Sequence, residues 1–151
     1  MTRAEKAKQY FLEGYNCSQA VVLAFSDLTG LDKDTAAKVS SGFGGGMGRL
    51  REVCGSVSGA VFVLSALFGY SDPKDYEAKK RLYSEIQTVA NRFKEQHGSI
   101  VCRELLGLKD GAPTPPTPEA RTPEFYKKRP CPEIIESCAA ILEDYINNRN
   151  K

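Results

Sequence analysis

Chemistry in this sequence is concentrated in five cysteines, Cys17, Cys54, Cys102, Cys131 and Cys138, beside a single histidine, His97. Thiolates attack disulfides and ligate metals. Successive cysteines are separated by 36, 47, 28 and 6 residues, so no Cys-x-x-Cys pair occurs. The local signatures of a thioredoxin-like site, a zinc ribbon and a c-type haem attachment are therefore missing. One histidine, with no Ser-His or paired-carboxylate arrangement, gives hydrolytic mechanisms little support. His97, five residues before Cys102, is a weak candidate ligand.

The elements that must position these thiols read as helices nearly throughout. "TRAEKAKQYFLEG" is helix-favouring and stops at Gly14, and "NCSQAVVLAFSDLTG" runs from the cap Asn16 to Gly30. Asp32 caps a short third helix. "VCGSVSGAVFVLSALFG" is apolar all round and predicts a buried central helix. Ser71 or Asp72 with Pro73 opens the long "SDPKDYEAKKRLYSEIQTVANRFKEQHG", in which Tyr76, Leu82, Tyr83, Ile86, Val89, Ala90 and Phe93 trace one face. "SIVCRELLG" predicts a short helix capped by Ser99, and "CPEIIESCAAILEDYINNRNK" an amphipathic one opened by Pro132. Between them "LKDGAPTPPTPEARTPEFYKKRP" holds six of the eight prolines and predicts a long irregular loop over the surface. The expected fold is all-α, a compact bundle of about seven helices forming a single domain over residues 1–151.

On this reading four cysteines fall in, or just before, the first turn of four different helices: Cys17, Cys54, Cys102 and Cys131. Helix N-termini carry unpaired N–H groups and about half a positive charge, which favours thiolate. Arg49, Arg51 and Arg103 act in the same sense if they point inward. Four converging thiolates suit a tetrahedral metal or an iron–sulfur cluster; two pairs suit a dithiol–disulfide cycle. Cysteine is also among the most buried residue types, and Cys138, in mid-helix, fits that packing role best. Seven residues along one helix place it about 10 Å from Cys131, too far for a disulfide.

Around Cys54, "GFGGGMGRLREVCGSVSGA" holds seven glycines. Each costs roughly 0.5–1 kcal/mol relative to alanine inside a regular element, so such a run marks a loop, a close-packing surface or a cradle. It matches neither the phosphate-binding Gly-x-x-x-x-Gly-Lys-Ser/Thr pattern nor Gly-x-Gly-x-x-Gly, and no strand precedes it. Gly55 and Gly59 suit helix contact, while Gly44, Gly45, Gly46 and Gly55 are candidates to bare backbone N–H groups towards a bound cofactor.

The 151 residues, 41% hydrophobic and 26% charged, are ordinary for a soluble globular domain. A net charge of +2 argues against nucleic acid as a partner. Nothing resembles a signal peptide, and the longest apolar run falls short of the roughly 20 residues a bilayer needs. A cytoplasmic location without membrane insertion is expected, where cysteines are more often thiols, metal ligands or redox groups than structural disulfides. Homodimerisation is compatible with such a bundle.

In order along the chain, "GYNCSQAV", "GFGGGMGRLREVCGSVSGA", "GSIVCRELLG" and "RPCPEIIESCAAIL" resemble the redox-active protein family named for its cysteine pattern, C_GCAxxG_C_C. The resemblance covers nearly the whole chain. It maps the family's four characteristic cysteines onto Cys17, Cys54, Cys102 and Cys131, and makes Cys138 an extra. Ser56 stands where the family usually has alanine. The resemblance implies a redox role without naming a substrate or redox partner. The leading expectation is an electron-transfer or thiol redox protein, a possible oxidoreductase, using those four cysteines as catalytic residues or as ligands of an iron–sulfur cluster or another thiolate-bound metal, with the metal centre, iron–sulfur first, ranked above a cofactor-free thiol–disulfide cycle. The alternative is a non-catalytic module holding a small anionic ligand at the glycine-rich loop through Arg49 and Arg51.

Overall fold

The computed structural model describes residues 1–149, and the fold is all-α. Helix α1 (Arg3–Leu12) begins with Thr2 accepting from the Glu5 amide while the Glu5 carboxylate accepts from the Thr2 amide. Helix α2 (Cys17–Ala24) repeats this reciprocal arrangement with Asn16 and Gln19. Such boxes satisfy the orphan amides of a first turn and commonly contribute about 1 kcal/mol. The expected second helix is broken at Phe25, whose φ of −116° leaves the helical region, so that α3 (Ser26–Thr29) is a separate turn. Asp32 caps α4 (Lys33–Ser40) as expected.

Helices α2 and α5 (Gly55–Phe68) form the centre. Every residue of α2 from Ala20 to Ala24 is buried, and Gly59 lets α5 approach it closely. A Cβ at Gly59 would stand 2.9 Å from the Ser18 carbonyl oxygen and 3.1 Å from Val21 Cβ. The long α6 (Tyr76–His97) covers α5 with Leu82, Val89 and Phe93. Its cap is Asp75, so Pro73 lies in the preceding turn rather than inside the helix. Tyr76 and Tyr83, expected on its buried face, are 68% and 51% exposed.

Helix α7 (Cys102–Leu105) starts later than expected: Ser99 accepts from the Val101 amide instead of capping it. Proline-rich residues 108–122 are irregular, but the following segment winds into α8 (Pro123–Lys128), capped by Thr122. Helix α9 (Cys131–Asn148) then returns along α1, burying Ile135, Cys138 and Leu142. Nine α-helices thus stand among the described residues where about seven were expected; the two short ones, α3 and α8, make the difference. No described helix is long and apolar enough to cross a membrane.

Candidate functional site

Four helix starts meet. Cys17 is the first residue of α2, Cys102 of α7 and Cys131 of α9, while Cys54 is the residue that caps α5. All four side chains line one cavity of about 550 Å³, open on one side. Cys138 is absent from its lining: it is 1% exposed and donates to the Ser56 carbonyl at 3.3 Å inside the core. His97 is absent from the lining too, its ring tilted against Phe93 with its Nε2 2.9 Å from Ser137 Oγ. Neither lines the cavity, although Cys138 lies close enough behind it to be affected by Cys54 and Cys17.

Backbone pairing explains how Cys54 and Cys102, far apart in sequence, arrive together. Val53 and Val101 form an antiparallel bridge. Around it the Cys54 amide donates to the Ile100 carbonyl at 2.7 Å, and the Cys102 amide to the Glu52 carbonyl at 2.6 Å. The glycine-rich loop wraps the same thiols. A Cβ at Gly55 would collide with Cys17 Sγ, and one at Gly46 would lie 2.7 Å from Cys102 Cβ. A Cβ at Gly44 would collide with the cap Asn16. The Gly45 backbone lies near enough to Cys17 to ease ionisation of its thiol. Gly44, Gly45 and Gly55 line the cavity; Gly46 packs behind Cys102. The glycines therefore serve close approach.

The expected thiolates are corrected. Burial pushes the Cys54 thiol up to about 12, with the neighbouring Cys17 adding to it, against opposing help from the Ser56 and Val57 amides. Burial also takes Cys131 to about 12, despite the guanidiniums of Arg129 and Arg51. Cys17 is raised for the same reason, although the Gly45, Ser18 and Cys17 amides pull the other way. Desolvation outweighs the helix N-termini here, because a charge in a poorly solvated wall loses more than a few amides restore. These three rest as neutral thiols near neutral pH. Cys102 is distinguished by contact: Arg51 Nη1 donates to its Sγ at 3.7 Å.

Three residues that sequence reasoning passed over complete the mouth of the cavity: Glu119, Arg121 and Arg129. Glu119 reaches in from the proline-rich segment and accepts from Arg129 Nη2. Its same oxygen, Oε1, lies 3.4 Å from Arg49 Nη2 and 3.9 Å from Arg51 Nη2. Arg121 is committed elsewhere, donating to the Phe11 and Tyr15 carbonyls with its guanidinium 4.2 Å above the Phe11 ring. No sequence signal joins residues 49, 51, 119 and 129; only the fold does.

A single metal ion does not fit this arrangement. Among the described residues no group of three or more His, Cys, Asp or Glu side chains is placed to hold one. The thiols instead border a space large enough for a small molecule, with apolar walls from Ile134, Ile135 and Leu105 and cationic groups at the mouth.

The chain has no match among curated proteins or solved structures. One family model does match, over residues 15–145, and it carries the description "Putative redox-active protein (C_GCAxxG_C_C)". That span takes in all four cavity cysteines and the glycine-rich loop, so the chain belongs to the C_GCAxxG_C_C redox-active protein family.

Proposed function

We propose that this protein performs thiol–disulfide redox chemistry on a small molecule entering the four-cysteine cavity, with Cys102 as the attacking thiol and Cys17 as its resolving partner. One observation carries the reading: four cysteines at four helix starts border one open cavity, and Cys102 has a guanidinium on its sulfur. A cation beside sulfur stabilises the negative charge from which attack proceeds. Cys17 lies near Cys54, Cys102 and Cys131, and Cys131 is a second thiol near Cys102.

The step balances with a low-molecular-weight disulfide as oxidant. Cys102 loses its proton to solvent and attacks one substrate sulfur. The substrate S–S bond breaks, a mixed disulfide forms and one substrate thiolate leaves. Cys17 then loses its proton and attacks the Cys102 sulfur, releasing the second substrate thiolate. The two protons return to the leaving thiolates. The protein is oxidised by two electrons and the substrate disulfide is reduced to two thiols; the reverse sequence oxidises thiols.

A second reading, an iron–sulfur cluster on the four cysteines, draws support from the same convergence of four sulfurs. Protein purified without oxygen separates the two through iron and acid-labile sulfide analysis, a visible spectrum and peptide-resolved thiol titration. The thiol reading expects a colourless protein whose Cys17 and Cys102 are lost together on treatment with a disulfide. Stoichiometric iron and sulfide with a charge-transfer band would replace it by the cluster reading.

A further inference from the structure

Three arginines crowd one carboxylate oxygen at the mouth of the cavity. Arg49, Arg51 and Arg129 have side chains only 19%, 12% and 18% exposed, and all three face Glu119 Oε1. Glu119 is the single carboxylate in the cavity lining among the described residues. Each guanidinium offers five donors in a planar fork suited to carboxylates. Arg129 and Arg49 both donate to this oxygen, Arg49 also donating to the Pro115 carbonyl at 3.0 Å, while Arg51 stands 3.9 Å away, so one carboxylate faces three guanidiniums. Two positive charges are left over in a partly desolvated place, a costly arrangement unless an anion comes to it.

The backbone points the same way. Arg49 and Arg51 sit at φ of 66° and 63°, in the left-handed region that side chains other than glycine avoid. Their neighbours Gly45, Gly46 and Gly48 also have positive φ, as does Met47 at 68°. A glycine at 49 or 51 would have relieved the strain, which costs on the order of 1 kcal/mol or more per residue. Arginine at both positions places two guanidiniums at the cavity mouth instead. One of them, Arg51, touches both the Cys102 sulfur and Glu119.

We infer that Arg49, Arg51 and Arg129 form a carboxylate-recognition subsite at the mouth of the cysteine cavity, occupied here by Glu119 as an internal stand-in, and that the molecule treated by the thiols carries a carboxylate that displaces it. Glu119 itself is 43% exposed and belongs to a segment without regular structure, so it can leave without unfolding a helix. The second half of this inference rests on the thiol–disulfide reading; the subsite does not.

Two measurements separate them. The first is calorimetric titration with succinate, a sulfur-free dicarboxylate, with putrescine as the cationic control. Glu119→Gln removes the competing charge while keeping the side chain's shape, and succinate should bind it about tenfold more tightly than the unaltered protein. Arg49→Gln combined with Arg129→Gln should weaken binding at least tenfold with helicity unchanged by circular dichroism. The second compares oxidation of the reduced protein by 3,3′-dithiodipropionate, an anionic disulfide, and by cystamine, a cationic one. The anionic disulfide should react at least tenfold faster, and Glu119→Gln should widen the ratio. Succinate that binds neither the parent protein nor Glu119→Gln overturns the subsite, whatever the thiols do. Binding of succinate with no oxidation by either disulfide keeps the subsite and removes the thiol–disulfide reading. Oxidation without charge preference, alongside succinate binding, overturns the link between the two.

Discussion

Gly55→Ala and Gly59→Ala each add one methyl group to the same helix, yet should have different consequences. At Gly55 the new Cβ collides with Cys17 Sγ and stands 2.9 Å from the Phe43 carbonyl oxygen and 3.3 Å from Gly44 Cα. The sulfur can rotate away, but the carbonyl belongs to the glycine-rich loop and must carry the backbone with it. Overpacking of this kind costs about 1–3 kcal/mol. Alanine recovers at most about 1 kcal/mol of helix propensity, and less at the first position of a helix. The net loss is about 1–2 kcal/mol, a fall in Tm of roughly 2–8 °C for a chain of this size. At Gly59 the neighbours are the Ser18 carbonyl and Val21 Cβ, within the α2–α5 contact and away from any sulfur. A similar clash with fuller propensity compensation leaves about 0–2 kcal/mol. Calorimetric unfolding reads both variants, and peptide-resolved alkylation reads Cys17. Gly59→Ala should alter stability alone, while Gly55→Ala should also change the alkylation rate of Cys17 severalfold. If Gly55→Ala keeps both its Tm and its Cys17 reactivity, the glycine does not make room for that sulfur.

Three further expectations concern single groups. Because burial holds Cys54 at about 12, its alkylation should climb about tenfold per pH unit from pH 7 to 11 without a plateau; a plateau below pH 9 would refute the desolvated position. The Arg3 guanidinium, hydrogen-bonded to Asp27, lowers that carboxyl from 3.8 to about 2. A depressed folded-state value contributes stability above the unfolded value, so the contribution is present above about pH 4 and lost as pH falls towards 2. With Asp27 61% exposed, screening limits it to about 1 kcal/mol or less, and the urea-unfolding difference between the parent and Asp27→Asn should vanish over that window. Cys138→Ala removes a buried packing group and should cost about 1 kcal/mol while leaving the oxidation rate of the cavity thiols unchanged; a changed rate would place Cys138 in the redox group.

Local chemistry wrote much of the fold legibly. Asn16 and Asp32 announce helix starts because short polar side chains satisfy first-turn amides, and Gly98 announces a stop by adopting φ of 87°. The gathering of Cys17, Cys54, Cys102 and Cys131 was legible from their shared place at helix starts. The break at Phe25 was not, since no glycine or proline marks it and the helical period runs through. Helix α8 had its signal, Thr122 before Pro123, hidden in a run of prolines that argued for irregular chain. Thiol ionisation was misjudged because helix N-termini are visible in sequence, whereas desolvation depends on what packs around the sulfur. The arginines and Glu119 stand on a loop, an irregular segment and the entry to α9, and no periodicity relates such positions.

The first and last helices are neighbours: α1 packs along α9, whose first residue supplies the fourth wall thiol. On a ribosome those elements emerge at opposite ends of synthesis. At about 5–20 residues per second, Cys17 waits on the order of ten seconds before Cys131 and the helix behind it can close the chamber. Throughout that interval the thiols on the nascent chain lack the walls that keep them neutral and the arginine mouth that screens what reaches them. Premature mispairing is therefore a hazard of the topology itself, and a surrounding that keeps thiols reduced during synthesis protects the order in which this site is assembled.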